Sequence, residues 1–346
     1  MSDNTSEEEQ QQQMREIFIC ADVWLKVFDF VSPLELGHTM ALISERFDDL
    51  VDVHFKTRKW SLDWVHIYRA IGGNGAEIVK YYGGPRLPIP RGPLPVKVIG
   101  FKGIWISYVD QTVIEFLQRI RRLFDSSETT VAIDTGYYQN CSWEIIRQKI
   151  WPLINDNICR LLMDSFAQID QLRQFSPTVL RNCAKLRLID SYDYSPDFSD
   201  EDNAEVSDAQ AMAKWLLTPR EDGLPKILRW SWNWLQMEGL KMSFVNALEP
   251  VNFIIGVRGL LHFTQPFGLE NTLTGERLTF RRFIENYWLL VRCPIGREEA
   301  KWAAWENEAL EWEWCREWNR IAIDFNDRDI GDGMVDEKAG PSEPKK

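Results

Sequence analysis

Three arginines in the middle of the chain lie at the centres of short triplets whose outer residues are apolar. The triplets read Cys159-Arg160-Leu161, Leu186-Arg187-Leu188 and Leu228-Arg229-Trp230. Because side chains alternate along a strand, each arginine is predicted to lie on the face opposite its apolar neighbours. A guanidinium group offers two parallel donors to a carboxylate or a phosphate. Arg160, Arg187 and Arg229 are therefore the candidate residues for recognising an anionic group on a target protein.

Such a row of like charges needs negative charge beside it. If the strands are parallel and in register, the guanidinium groups stack about 5 Å apart and repel one another. Either neighbouring Asp and Glu side chains neutralise the row, or the row binds a carboxylate or phosphate of the target. The second alternative implies that charge reversal at Arg187 weakens target binding without unfolding the protein.

The residues that commonly carry catalysis or bind metals do not form a motif in this sequence. None of the histidines has a second His, Cys or carboxylate at ligand spacing, and the six cysteines are scattered without a Cys-x-x-Cys pair. Gly73-x-Gly75 lacks the third glycine and the Lys-Ser/Thr pair of a phosphate-binding loop. We therefore predict no enzymatic activity, no metal site and no cofactor. A hydrolase that uses two carboxylates within residues 96–330 is the weaker alternative. The four histidines are His38, His54, His66 and His262.

The overall charge excludes two classes of partner. The 346 residues carry a net charge of -12, which argues against binding to nucleic acid or to an anionic membrane surface. No apolar run reaches the roughly 18 residues of a membrane helix, and the acidic N-terminus is unlike a secretory signal. Scattered cysteines are typical of a reducing compartment. These features predict a cytoplasmic or nuclear protein.

Short apolar strands alternate with helical stretches through residues 96–260. The strand centres at residues 105, 132, 160, 187, 229 and 252 are separated by steps of 27, 28, 27, 42 and 23 residues. Steps near 28 are typical of strand–helix leucine-rich repeats, which stack into a solenoid. The long step contains an acidic insertion, residues 190–208, with eight acidic residues and no Lys or Arg. A doubly wound α/β sheet would give the same alternation.

The segments on either side of the repeats have different characters. Residues 61–95 are predicted to form a β-hairpin followed by a Pro-rich connector, and residues 261–326 a mixed α/β cap on the solenoid. Trp302, Trp305 and Trp312 share one face of the helix expected in that cap, where they are assigned to core packing. The acidic, Gln-rich residues 1–14 and the charged residues 327–346 are predicted to be disordered.

Residues 15–60 are predicted to form three short helices. The apolar residues of the first helix fall on one face, and Ser32-Pro33 provides a cap and a first residue for the second helix. The third helix is expected from about Met40 to Val53. A unit of this size buries its own apolar surface poorly, so its surplus of large apolar residues predicts a surface for a partner.

This N-terminal stretch resembles the F-box. In the family pattern, Ile19 takes the place of the first Leu and Asp22 that of the Glu. Cys20 at the usual proline and Glu45 at the usual lysine depart from the pattern. The remaining matches are the apolar triplet Val23-Trp24-Leu25, the pairs Val27-Phe28 and Phe30-Val31, Pro33, Glu35-Leu36 and the block Leu42-Ile43-Ser44-Glu45-Arg46-Phe47.

The resemblance implies a recruiting function. F-box helices dock onto a Skp-type adaptor and through it onto a cullin scaffold, and the domain behind them holds an unknown protein substrate for ubiquitination. F-box proteins often carry leucine-rich repeats behind the box, and the later part of this chain resembles F-box proteins multiplied in nematodes. The alternative is a repeat-based interaction scaffold unrelated to ubiquitination, whose helices serve only for packing. The residues implied to contact the adaptor are Val23, Trp24, Val27, Phe28, Pro33, Leu34, Leu36, Ile43 and Phe47.

The complete fold prediction is an α/β protein in three parts. A three-helix F-box module, residues 15–60, comes first. The hairpin and connector lead to a leucine-rich-repeat-like solenoid over residues 96–260. The mixed α/β cap over residues 261–326 completes the fold.

Overall fold

The chain is a mixed α/β protein built around one thirteen-stranded sheet. It divides into two compact units. The first comprises Met1–Trp60 with Pro95–Ile99, and the second comprises Ser61–Leu94 with Gly100–Lys346. The structure is a computed structural model that describes residues 19–31, 35–73, 75–80, 84–125, 128–163, 167–175, 179–191, 197–198, 208–231, 237–258, 265–310 and 319–334.

The first unit is helical. Helix α1 (Ala21–Val27) continues into a 3-10 turn (Phe28–Phe30), and a π-helical turn follows at Leu36–Met40. Helix α2 (Glu45–Thr57) begins at Ser44, whose side-chain oxygen accepts a hydrogen bond from the Phe47 N–H at 3.4 Å. The predicted start near Met40 is therefore wrong, because the serine cap rather than the first apolar residue fixes where α2 begins.

A small apolar core holds the helical unit together. Phe28, Leu36, Leu50 and Val51 are buried in it. Trp24 packs edge-on against Phe47 with 4.8 Å between ring centroids, and both rings are partly buried against this core. Burying such side chains contributes about 1.5–3 kcal/mol each, so a core of this size gives modest stability.

The second unit contains most of the sheet. The turn at residues 70–75 joins two antiparallel strands as predicted, with His66 opposite Val79. Gly73 and Gly75 have φ values of 88° and 90°, which a residue with a side chain rarely adopts. Within the predicted Pro-rich connector, Arg86–Pro88 adds a third strand to the hairpin. The strands are β1 (Trp60–Arg69), β2 (Ala76–Val79), β3 (Arg86–Pro88), β4 (Val98–Ile106), β5 (Thr129–Ile133), β6 (Ile158–Met163), β7 (Leu188–Ser191), β8 (Lys226–Ser231), β9 (Phe253–Arg258), β10 (Phe267–Asn271), β11 (Glu276–Ile284), β12 (Tyr287–Pro294) and β13 (Arg320–Ile323).

Strands β5 to β9 are parallel and adjacent in chain order, with helices between them. This order is compatible with the predicted strand–helix repeats and equally with the alternative of a doubly wound α/β sheet, so it does not decide between them. The helices of the second unit are α3 (Gln111–Asp125), α4 (Asn140–Ile145), α5 (Trp151–Ile154), α6 (Ala167–Phe175), α7 (Val179–Asn182), α8 (Asp208–Leu216), α9 (Met237–Val245) and α10 (Glu299–Glu308).

The first predicted repeat does not pair with the second. Strand β13 lies between β4 and β5 and is parallel to both, with Ile321 opposite Ile104 on one side and Val131 on the other. Its four residues are all buried. The prediction that the C-terminal region only caps the open end is thus wrong for β13, because this apolar strand completes the middle of the sheet. Strands β10 to β12 do extend the far end, antiparallel beside β9.

The chain beyond residue 326 is ordered as far as residue 334, against the prediction of disorder from 327. Asn326 and Asp329 form a capping box around the 3-10 turn Asp327–Asp329. Ile330 then bridges Val109. Local side-chain to backbone hydrogen bonds explain this order in a polar segment.

The ion pair between Glu276 and Arg292 is the most deeply buried one among the described residues. Glu276 on β11 accepts from Arg292 on β12 at 2.7 and 3.1 Å, and both side chains are almost completely buried. The other carboxylate oxygen accepts from the Val251 N–H at 2.8 Å. Arg292 also donates to the Glu249 carbonyl and lies over the Phe244 ring. Each charge is thus compensated, which a buried ion pair requires.

Replacing Arg292 with Met is expected to lower the free energy of unfolding by about 3–5 kcal/mol, because Glu276 is left buried without its ionic partner. Urea unfolding measures the change. Arg277→Met is the matched control, since Arg277 also pairs with a glutamate, Glu299, but at a partly exposed site. Loss of such a pair costs about 0–1 kcal/mol. Equal losses in the two variants would contradict the burial argument.

Candidate functional site

The helical unit keeps several large apolar side chains in contact with solvent. Val23 and Val27 lie one turn apart on α1, so they share a side of that helix. Phe30 is 91% exposed and Leu42 is 78% exposed, and Ile43 beside it is exposed as well. We call these five residues the apolar docking surface. Five exposed apolar side chains in so short a unit are a candidate surface for a partner.

The residues implied to contact an adaptor divide into four groups. Val23, Val27 and Ile43 belong to the apolar docking surface. Phe28 and Leu36, each 1% exposed, lie inside the unit and hold its core instead of facing a partner. Trp24 and Phe47 are half-buried between these groups, and Pro33 and Leu34 lie outside the described residues. Phe30 and Leu42 are exposed apolar residues within the matched motif that the prediction omitted.

An electrostatic contact ties the two ends of the helical unit together. Asp29, in the 3-10 turn after α1, forms an ion pair with Arg58 just after α2. The His54 Nδ1 atom lies 4.0 Å from the same carboxylate, and its ring meets Phe28 edge-on. Burial lowers the pKa of His54, Asp29 opposes that shift, and Arg58 adds to it. His54 is therefore a neutral packing residue at pH 7.

The three arginines of the sheet do not form the row that the triplets predicted. Strand β7 begins at Leu188, so Arg160 on β6 is opposite Leu188 and not opposite Arg187. Arg229 on β8 is opposite Asp190. The predicted register was wrong because Leu186 and Leu188 both read as strand residues, whereas only Leu188 belongs to the strand.

A single glutamate brings two of these arginines together. Glu308, at the last residue of α10, accepts from Arg187 at 2.6 and 2.8 Å and from Arg160 at 3.3 Å. Its side chain is about one-quarter exposed, so the contacts are partly screened by solvent. No feature of the sequence indicated that Glu308 pairs with Arg187, because the two residues are 121 positions apart.

Arg229 holds the end of α10 by a different contact. Its guanidinium donates to the carbonyls of Glu308 and Ala309 at 2.6 and 2.9 Å and lies 3.4 Å from the Asp190 carboxylate. A cation at the C-terminus of a helix also meets the negative end of the helix dipole. Gly256 permits this close approach, because a Cβ there would lie 2.9 Å from the Ala309 carbonyl oxygen.

Apolar packing covers the same face of the sheet. Trp302 and Trp305 of α10 pack as predicted, with 5.3 Å between ring centroids, while Trp312 lies outside the described residues. The face that was expected to be free for a target is therefore occupied by α10 where the three arginines lie. Carboxylates of the chain itself supply the negative charge that this cluster needs. The cluster of buried residues beneath α10 comprises Leu188, Ile227, Ile254, Leu289, Val291, Cys293, Trp302 and Ala309.

The described residues contain no group of three or more His, Cys, Asp or Glu side chains placed to hold a metal ion. His66 stacks on Trp105 at 5.6 Å, and burial lowers its pKa while Asp324 opposes the shift. The side chains of His38 and His262 lie outside the described part of the structure. Within the described ranges, no helix is both long enough and apolar enough to cross a membrane.

Comparison with known proteins does not assign this chain to a family. No family model, no curated protein and no solved structure matches it. The apolar docking surface and the contacts of α10 are the features from which a function can be argued.

Arg187→Glu is expected to lower the free energy of unfolding by about 2 kcal/mol, because it removes two charged hydrogen bonds and places a second carboxylate beside Glu308. Chemical denaturation checks this. Arg282→Glu, at an exposed position of β11, serves as the control and should change stability by about 0.5 kcal/mol or less. Unchanged stability in Arg187→Glu, with weakened target binding, would instead support a role for Arg187 itself in recognising a target.

The helical unit is expected to lose stability as the pH falls below about 6.5, the ordinary pKa of histidine. The pKa of His54 is lowered in the folded unit, so below that pH the unfolded chain binds a proton that the folded chain does not. Hydrogen exchange of residues 45–57, corrected for the intrinsic effect of pH, measures the loss. His54→Phe should reduce this pH dependence while leaving exchange in β9 unchanged. If His54→Phe shows the same pH dependence as the native chain, another titratable group causes that dependence.

Proposed function

We propose that this chain is a substrate-recruiting F-box subunit of a cullin-based ubiquitin ligase. The observation that supports it most is the division of apolar residues in the helical unit. Phe28 and Leu36 fill the interior, and Val23, Val27 and Ile43 remain outside at positions that match the F-box pattern. Several large apolar side chains exposed in so short a unit are typical of a surface that binds a partner.

Docking of a Skp-type adaptor would bury the apolar docking surface. Removing apolar area from water contributes about 25 cal/mol per Å², less the entropy lost on association. The hydrogen bond from Arg46 to the Ile19 carbonyl, at 2.5 Å, ties the start of α2 to the segment before α1. Such a preformed arrangement lowers the ordering cost of binding.

The second unit is the proposed substrate-binding part. The adaptor and the cullin scaffold would hold the captured protein near a ubiquitin-charged enzyme, so the gain is in effective concentration and orientation. In this proposal the chain supplies no catalytic residue and binds no cofactor. The contacts of Arg160 and Arg187 with Glu308 favour internal neutralisation, so the substrate site is not assigned to the arginine triplets.

A cytoplasmic or nuclear location is part of the proposal. Adaptors and cullins act in these compartments, and the chain charge of -12 disfavours contacts with nucleic acid and anionic membranes. No disulfide joins the described cysteines, in keeping with a reducing environment.

Val23→Glu combined with Ile43→Glu is expected to weaken binding to a purified Skp-type adaptor by about a hundredfold or more. Central apolar anchors contribute about 2 kcal/mol each or more, and a buried glutamate adds a desolvation cost. Both positions are exposed in the free chain, so urea unfolding should remain unchanged. Biolayer interferometry with the immobilised adaptor measures the affinity.

The matched control is Ile71→Glu with Met242→Glu, which changes two exposed apolar residues of the second unit. This control should bind the adaptor normally. Adaptor binding that is equal in the two double variants would place the contact elsewhere. Absence of binding by the unmodified chain would favour the interaction scaffold unrelated to ubiquitination.

A further inference from the structure

A cavity of about 500 Å³ lies in the second unit, and no residue of α10 lines it. Helix α8, the loop at residues 218–222 and the segment at residues 183–186 form its walls, and the first residue of β8 lies at its base. Small-molecule sites have volumes of about 300–1,000 Å³. The cavity is thus large enough for a small organic molecule.

Lys226 is the unusual residue of this cavity. It is only 5% exposed, although lysine is rarely buried without a charged partner. Its ammonium group donates to the Trp215 carbonyl and lies 4.9 Å from the centre of the Trp215 ring. No carboxylate among the described residues pairs with it. Burial lowers the pKa of Lys226 to about 8, and Arg220 contributes to the shift, so the amine is still mainly charged at pH 7.

The charge around the cavity is positive in an acidic chain. Among the described residues of the lining, two are acidic, Glu221 and Asp222, and five are basic. Asp222 is already paired with Arg220, at 2.6 and 2.9 Å. Among the described lining residues, basic side chains thus outnumber acidic ones by three, in a chain of net charge -12. The basic residues are Arg173, Lys185, Lys214, Arg220 and Lys226.

The remaining walls are mainly apolar. Leu180, Leu186 and Trp215 contribute side chains, and Cys183 contributes a thiol. Burial raises the pKa of Cys183 to about 12, so the thiol stays protonated and is not a nucleophile at pH 7. An apolar wall with few polar groups favours a ligand that has an apolar body and one charged end.

We propose that this cavity binds a small organic anion. Its acidic group, a carboxylate, sulfonate or phosphate, contacts Lys226 and the basic rim, and its apolar body packs against Trp215 and Leu186. The ligand supplies the negative charge that Lys226 lacks within the described chain. This site is independent of adaptor docking, which involves the helical unit alone.

A structural role for Lys226 is the competing explanation. Its ammonium group contacts the Trp215 carbonyl in the last turn of α8, where a cation is favourable. A structural role predicts that loss of the charge changes stability and leaves ligand binding unaltered. A ligand-binding role predicts that loss of the charge weakens ligand binding and changes stability little, because a buried charge without a carboxylate partner contributes little to folding.

The test uses the full chain and 8-anilinonaphthalene-1-sulfonate, an aromatic sulfonate whose fluorescence rises on binding. N-phenyl-1-naphthylamine has the same aromatic body without the anion and serves as the neutral probe. The anionic probe should bind at least about tenfold more tightly than the neutral one. Lys226→Met should weaken the affinity of the chain for the anionic probe about tenfold. Lys214→Met, at the exposed rim, should weaken it by a smaller factor.

Lys301→Met, an exposed lysine of α10 paired with Glu298, is the control and should bind the anionic probe as the native chain does. Hydrogen exchange of residues 214–226 should slow when the probe is bound. Equal affinity in Lys226→Met and the native chain overturns the proposal. So does protection confined to other segments, or equal binding of the two probes. Because Lys214→Met alters only an exposed side chain, it keeps the test valid if Lys226→Met unfolds.

Discussion

The contact between the C-terminal end of α10 and the arginines of the sheet is the interaction on which the second unit depends. Glu308 accepts from Arg160 and Arg187, and Arg229 binds the last carbonyls of the helix. Around these polar contacts, Trp302 packs on the aliphatic side chains of neighbouring strands. The polar contacts fix where the helix ends, and the apolar contacts supply most of the stabilisation. The positive charges of these arginines thus contribute to folding, because they bind the end of α10.

The helical unit is held together by fewer residues than the second unit. It forms a core from a short segment and still leaves large apolar side chains exposed. Phe28 and Leu36 belong to the core, whereas Val23 and Ile43 remain exposed. Since α1 is only seven residues long, its stability comes from packing rather than from helix propensity. A binding surface on so small a unit is therefore coupled to the stability of the unit itself.

Local patterns were predictable from the sequence, and contacts between distant segments were not. The β1–β2 turn followed from its glycines, and the alternation of strands and helices through β5 to β9 followed from apolar periodicity. The register of β7 was missed by one residue against β6 and by three against β8, because apolar periodicity marks a strand and does not fix its register. The partners of Arg187 could not be predicted, since Glu308 is one of many glutamates in helical segments and only the folded topology selects it.

The position of β13 has a consequence for the order in which the protein can be made. β13 pairs with β5 although about 190 residues separate the contacting segments. During synthesis β4 and β5 leave the ribosome long before β13. Until β13 has been made, the backbone groups of β4 and β5 with which it pairs have no partner. Contacts of such long range slow folding, and open strand edges invite wrong pairing. A nascent chain stalled before residue 320 thus exposes an incomplete sheet that holding chaperones would recognise.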